Sequence, residues 1–333
     1  MTDKCVLGID TSNYKTSLAV VRGGETVADI RRFLKVKEGE RGLRQSEALF
    51  QHVQNLPEMF SELRDVFDGN IDAVAYSTRP RAIEGSYMPC FTAGSGQAVA
   101  IASALDVPAI GFSHQEGHVE AVLSAFAERP SGDFAACHFS GGTCELLKIT
   151  QKKHELYEGS GFADIRGERT FYDIDITGGT KDISYGQVID RAGVALGLPF
   201  PCGEVLDGLA MKARNVSDYL TTIKVNDAYV NLSGFDTQIR NRLTDMEHGV
   251  YYLIREVFEK ISESMVEMIL QNAEKTGTDS IYMSGGVSSS RFIREYITDR
   301  LAAKGIRAFF ADAGLSSDNA IGTALLGSRY LWD

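Results

Sequence analysis

Two histidines four residues apart, His114 and His118 in the run SHQEGH, carry the most specific chemistry of this chain. On a helix, positions four apart share a face, so the two imidazoles converge on one point. The chain holds only six histidines, so a pair at ligand spacing stands out from the background. A metal ion needs at least one further donor, usually a carboxylate; an exposed helix that happens to carry the pair is the alternative. The zinc-protease pattern H-E-x-x-H sets its glutamate directly after the first histidine. Gln115 stands there instead, and Glu116 is one residue later, turned by about 100°. Peptidase chemistry is therefore disfavoured, and Ser113 with Glu116 reads as a capping box.

Glycine-rich tips form a second group. Ser140-Gly141-Gly142-Thr143 and Ser284-Gly285-Gly286 offer backbone N–H groups that a phosphate can approach without meeting a Cβ. Either tip alone reads equally well as an ordinary turn. Asp10 lies at a third polar tip, and Asp190 lies where GQVIDRAG turns helical, ahead of Pro199, Pro201 and Gly203. A carboxylate beside a nucleotide accepts ribose hydroxyls; Asp190 as a solvated helix residue is the competing reading. Asp318, in Ser316-Ser317-Asp318-Asn319, is either a helix cap or the missing metal ligand.

The elements that must position these residues follow from periodicity. Cys5 to Val21 reads as a β-hairpin with a polar tip, and Ala135 to Ile149 repeats the pattern about 130 residues later. Ser280 to Met283 is a strand, and Ser290 caps a helix starting near Arg291. Ser46 to Leu63 is a helix with Leu49, Val53, Leu56 and Phe60 on its apolar face, kinked or divided at Pro57. Gly94 to Leu105, Ser113 to Phe126, Val250 to Ala273 and Ser317 to Leu331 complete the helices. The longest shows Leu253, Val257, Ile261, Met265 and Ile269 at helical spacing. Alternating strands and helices favour α/β, and the repeated hairpin predicts two related lobes.

Composition bounds the function. The 333 residues are 44% hydrophobic and 24% charged, which excludes wholesale disorder, and no run is long enough to span a bilayer. Five scattered cysteines without C-x-x-C spacing suit a reduced, cytoplasmic chain. The net charge of −11 argues against gripping nucleic acid unaided. Basic clusters are short: Arg31, Arg32, Lys35 and Lys37, then Arg41 and Arg44, then Arg79 and Arg81.

The order GIDTS, SHQEGH, SGG, G-x-x-x-D, P-x-x-G, SGGV, SSDNA resembles the TsaD family along nearly the whole chain. That family makes threonylcarbamoyladenosine in transfer RNA and was once labelled a glycoprotease. The resemblance implies a two-lobed actin/hexokinase/chaperone-ATPase-like fold with a central nucleotide cleft. The expected lobes are residues 1–112 and 113–316, the second holding the histidine helix, with a helix at 317–333 packing back on the first. It implies one divalent metal, zinc or iron, on His114, His118 and Asp318. It also implies an adenine nucleotide, ATP or an acyl-adenylate, on His138, Phe139, Ser140, Gly141, Gly142 and Thr143. Asp190, Gly203 and Asp207 are expected at the ribose, Gly285 and Gly286 at the adenine, and Ser290 among the nucleotide-binding residues. Partners implied are transfer RNA, basic TsaB- or TsaE-like proteins, and a homo- or heterodimer.

The departures are local. The family's T-S-C-D-E-T hairpin is Thr11-Ser12-Asn13-Tyr14-Lys15-Thr16 here, which replaces two acids by a phenol and a cation. Thr143 stands for a histidine, Ser290 for an asparagine, Asp236 for a lysine, and Arg79-Pro80-Arg81 for G-P-G. Ser290 thereby offers one hydroxyl where a carboxamide has separate donors and acceptor. Asp10 and Lys15 remain as catalytic candidates. This pattern fits a divergent paralog: a threonylcarbamoyl transferase, a carbamoyl-type transferase with another acceptor, or a nucleotide-binding regulatory member.

Overall fold

In the computed structural model of the chain, residues 3–12, 14–36, 43–153, 167–215, 218–245 and 249–332 are described. Asn13 and the basic residues Lys37 and Arg41 lie outside them. Two compact units emerge. The first comprises Met1–Arg129, Gln151–Asp173 and Ser317–Asp333; the second comprises Pro130–Thr150 and Ile174–Ser316.

The first unit is built on a six-stranded sheet. Its strands are β1 (Cys5–Asp10), β2 (Lys15–Arg22), β3 (Glu25–Phe33), β4 (Ala73–Arg79), β5 (Ala109–Ser113) and β8 (Gly167–Glu168), in the order β3-β2-β1-β4-β5-β8. β3, β2 and β1 run antiparallel, and β1, β4, β5 and β8 run parallel. Strand alternation sends Cys5, Leu7, Ile9, Leu18 and Val20 to one face, where they pack with Leu56, Met59 and Leu63 of α1 (Gln45–Val66) and Ala98 and Ala102 of α2 (Phe91–Leu105). The opposite face, carrying Asp10 and Lys15, is that of α3 (His114–Leu123) and α10 (Ile321–Trp332). These two helices touch backbone to backbone: a Cβ on Gly322 would lie 1.8 Å from the Gly117 carbonyl oxygen. That contact holds the histidine helix in the first unit, whereas a boundary at residue 112 would have assigned it to the second.

The second unit repeats the plan. Its sheet is β10-β9-β7-β6-β11-β12, formed by β6 (Phe134–Phe139), β7 (Cys144–Gln151), β9 (Tyr172–Thr180), β10 (Tyr229–Val230), β11 (Ser280–Ser284) and β12 (Arg307–Phe310). β6 and β7 form the second antiparallel hairpin, and β6, β11 and β12 are parallel. Its core gathers side chains of α4 (Tyr185–Ala195), α5 (Gly203–Lys212), α6 (Ser233–Asp245), α7 (Val250–Thr276) and α8 (Arg291–Ala302). All five α7 residues expected on the apolar face are buried. A short α9 (Ala313–Ser316) precedes the return to the first unit.

Two expectations shift. α1 is one continuous helix with Pro57 inside it, and its buried stripe is Ala48, His52, Leu56, Met59 and Leu63; Val53 faces solvent. An internal proline costs about 3 kcal/mol, while each buried Leu or Met contributes about 1.5–3 kcal/mol, so packing outweighs the break. The terminal helix starts at Ile321, not Ser317, because Asn319 caps it by accepting from the Ile321 N–H at 3.0 Å. No described helix is long and apolar enough to cross a membrane.

Candidate functional site

His114 and His118 lie in the first turns of α3, which Ser113 and Glu116 start with a reciprocal capping box. Glu116 does more than cap. Fully buried, it accepts from the Ser113 N–H and hydroxyl on one oxygen, and from Thr170 Oγ1 (2.9 Å) and the Phe171 N–H (2.8 Å) on the other. The helix start is also tied to the Arg79-Pro80-Arg81 loop, where the Gln115 N–H donates to the Pro80 carbonyl at 3.0 Å.

His118 Nε2 lies 3.0 Å from His114 Nε2 and 3.2 Å from Asp318 Oδ1, and His114 Nε2 lies 3.6 Å from the same oxygen. Metal–ligand bonds of about 2.1 Å put neighbouring donors about 3.0–3.5 Å apart, so these three atoms match the edges of a coordination polyhedron. Among the described residues this is the group of His, Cys, Asp and Glu donors able to hold a metal ion. Asp318 is free to join because Asn319, not Asp318, caps α10.

Asp10, at the end of β1, completes the arrangement from behind. Its Oδ2 is 2.7 Å from His114 Nδ1, and its Oδ1 accepts from the Ser12 N–H. With the Nδ1 proton directed to Asp10, His114 presents the Nε2 lone pair outward, the carboxylate–histidine pairing of metal ligands. The local field favours positive charge. Burial opposes a charged His114, but Asp10 and Asp318 outweigh it and push the imidazole up to about 10. Burial likewise works against an ionised Asp10 and Asp318, yet the histidines hold both carboxyls below the usual range. The donor set therefore fits a divalent cation.

Lys15 opens β2 on the same sheet face. It is 7% exposed, its ammonium sits 4.6 Å above the Phe33 ring, and it forms no hydrogen bond or ion pair with a described residue. Burial pushes its pKa down, opposed by Asp318.

The other expected residues gather in the second unit, at the carboxyl ends of the parallel strands β6 and β11, the usual ligand edge of such sheets. His138 Nδ1 meets Ser284 Oγ at 3.2 Å, and Phe139 is buried against Tyr185. Ser140 Oγ accepts from the Thr143 and Gly142 N–H groups, which leaves the Gly141-Gly142 tip exposed; the Gly141 carbonyl is pinned by the Ser184 hydroxyl at 2.7 Å. Gly285 has φ +93°, and a Cβ there would lie 2.3 Å from the Phe139 carbonyl oxygen, so the β11 turn nests on β6 only as glycine. Gly286 follows it and opens a 3-10 turn. Asp190 accepts from the Cys202 N–H at 2.8 Å, just before Gly203 starts α5. Asp207 has a structural duty: both its oxygens take bonds at the start of α8, from the Ser290 hydroxyl and the Arg291 and Phe292 N–H groups. Ser290 also caps α8.

One residue, His52, and the partners of another, Asp236, escaped the sequence reading. His52, fully buried on α1, meets Thr16 Oγ1 at 2.9 Å behind the first hairpin, and burial pushes it down to about 4 against the pull of Asp10. Asp236 is buried between Arg191 and Arg240, each 3.2 Å away.

Against known proteins, residues 35–325 match the family model described as TsaD: tRNA N6-adenosine threonylcarbamoyltransferase. A tRNA N6-adenosine threonylcarbamoyltransferase of Thermotoga neapolitana is 26% identical, with 97% of this chain and 93% of the relative aligned. Among solved structures, full-length HypF in its phosphate- and nucleotide-bound form overlays with TM-score 0.56 at 12% identity, over 100% of this chain and 47% of that one. A ROK family glucokinase from Streptomyces griseus, in complex with glucose and AMPPNP, gives 0.50 at 11% identity over 97% and 98%. At such identities the structural likeness speaks for the fold alone, an α/β fold shared with these two proteins.

Proposed function

Since the chain belongs to the TsaD family of tRNA N6-adenosine threonylcarbamoyltransferases, we propose that it moves a threonylcarbamoyl group from an acyl-adenylate to the adenosine next to the tRNA anticodon, and that it depends on one divalent cation, zinc or iron. In this reaction the adenosine amine forms a C–N bond to the carbamoyl carbon. The C–O bond to the adenylate phosphate breaks, AMP departs with that electron pair, and the amine gives up a proton.

The convergence of His114, His118 and Asp318 within 3.6 Å, with Asp10 behind His114, is the observation that carries this reading. When bound there, a divalent cation supplies Lewis-acid polarisation of an acyl carbonyl and an anchor for a carboxylate. Asp10 is a positioning residue: it fixes the His114 tautomer and stays fully buried, out of reach of an acceptor amine. In the second unit, the exposed Gly141-Gly142 tip, where no Cβ intervenes, suits the adenylate phosphate, with Ser140 Oγ bracing the loop by accepting from the Gly142 and Thr143 N–H groups. His138 and Phe139 lead into that tip. Asp190 and Gly203 are assigned to the ribose, with Asp207 and Ser290 as the brace that sets α5 against α8, and Gly285 and Gly286 to the adenine. An acidic chain of −11 has the RNA presented by a basic partner protein.

The test is to incubate the metal-loaded chain with threonylcarbamoyl adenylate and unmodified tRNA, with and without a basic partner, and to digest the RNA for mass spectrometry. Threonylcarbamoyladenosine is expected, and it disappears when His114 and His118 are both alanine, together with the metal by elemental analysis. Consumption of the adenylate only with a small amine would assign a different acceptor. Retention of metal by the double variant would dismiss the triad.

A further inference from the structure

The three donors of the candidate ion site come from two separate stretches of the first unit. His114 and His118 belong to Met1–Arg129 and Asp318 to Ser317–Asp333, while Gln151–Asp173 supplies a third stretch. Glu120, fully buried on α3, joins all three. It accepts from Arg129 Nη2 of the first stretch, from the Tyr172 hydroxyl of the middle one at 2.7 Å, and from Arg329 Nη1 of α10 at 2.6 Å. Arg329 Nη1 also donates to the Tyr172 oxygen at 2.8 Å, and its guanidinium lies 4.6 Å from the centre of the Phe171 ring.

Two residues turn a helix by about 200°. Glu116 stands two residues after His114 and Glu120 two after His118, so the histidines occupy one side of α3 and the buried carboxylates the other. Glu116 is taken up by residues 113, 170 and 171; Glu120 is the acid that reaches α10. α10 therefore meets α3 at two points. Gly322 nests on Gly117, and Arg329, seven residues or about 10 Å further along the helix, pairs with Glu120. One contact sets how closely the helices approach; the second fixes how α10 slides and turns on α3. A buried carboxylate that loses a partner is left with uncompensated charge, so this pair resists displacement. Asp318 lies just ahead of α10, where any slide or turn of the helix passes to its carboxylate.

We infer that Glu120 and Arg329 are positioning residues for the ion site: their pair holds α10, and with it Asp318, in register with His114 and His118. The inference deepens the transferase reading and rests on its metal triad.

The test titrates cobalt(II), whose visible absorption reports its ligand geometry, into the full chain at a temperature where circular dichroism shows each variant folded. Arg329→Met and Arg129→Met each take one guanidinium from the same carboxylate, but only Arg329 shares a stretch with Asp318. Arg329→Met is expected to weaken the absorption band and to lower cobalt affinity about 10-fold or more, the scale seen when the support of a metal ligand is lost. Arg129→Met should bind cobalt as the wild type does, and Arg329→Lys, which keeps the charge, should recover most of the affinity. Should Arg329→Met not fold, Glu120→Gln is read in its place, with the same loss expected. Equal loss in the two methionine variants reduces Glu120 to general stability and overturns the inference. Wild-type cobalt affinity and absorption in a folded Arg329→Met or Glu120→Gln overturns it as well, and leaves the triad standing. A lysine variant as weak as the methionine one overturns the charge pairing. A wild-type chain that takes up no cobalt overturns the triad and the inference with it.

Discussion

Asp10 is fully buried, and the proposed ion site leans on it through His114. By accepting from the His114 Nδ1–H at 2.7 Å it leaves Nε2 to face the proposed ion. Asp10→Asn keeps the size but weakens the charge that holds this tautomer, and loss of such a partner typically lowers metal affinity about 10- to 100-fold. Competition with a chromophoric chelator should show that drop while the fold is retained; unchanged affinity would assign Asp10 to structure alone. The residues of this site were unevenly legible in sequence. The histidine pair announces itself because four residues is one helical repeat. Asp318 lies 200 residues from His118, and only the resemblance pointed to it; spacing left it open as a cap, a duty the structure gives to Asn319. His52 was invisible because a lone polar residue on an apolar stripe has no periodic signature, and its reason for burial is Thr16 on a different element.

Elements reach the site by close approach. The glycine after β11 lets its turn nest on β6, which sets the geometry of the loop that follows. Gly285→Ala places a Cβ against the Phe139 carbonyl in a backbone conformation that alanine disfavours, at a cost of about 1–3 kcal/mol. Thermal melts should fall accordingly, and AMP binding should weaken further than the loss of stability requires; a variant with wild-type melting and AMP affinity would remove the nesting argument. Glu116 works at the same scale, since one buried carboxylate joins the start of α3 to residues 170 and 171. Its capping role was readable from S-x-x-E, but its second set of partners was not, because they depend on a chain return across 54 residues. The two hairpins, the long α7 and the α/β class were readable because each rests on local periodicity. The continuity of α1 through Pro57 was not, since it is decided by the sheet beneath the helix.

At the scale of the whole molecule, stability should carry an acid-sensitive limb from His52. Its pKa is pushed from 6.5 down to about 4 in the folded chain, so between those values the unfolded chain binds the extra proton. The His52 contribution to stability is then complete above pH 6.5 and falls as the pH drops towards 4. Denaturation midpoints measured across that window should decline for the wild type and flatten for His52→Gln; equal slopes would place the acid sensitivity elsewhere. The chain's order of units has another bearing. The first unit opens the sequence and is rejoined at Ser317, after the second has been laid down. During translation, a ribosome will therefore have released both imidazoles long before the aspartate that completes them. If the proposed triad holds the ion, a nascent protein has no finished place for it until that final stretch emerges, and stop codons ahead of it should yield apoprotein rather than weakened enzyme.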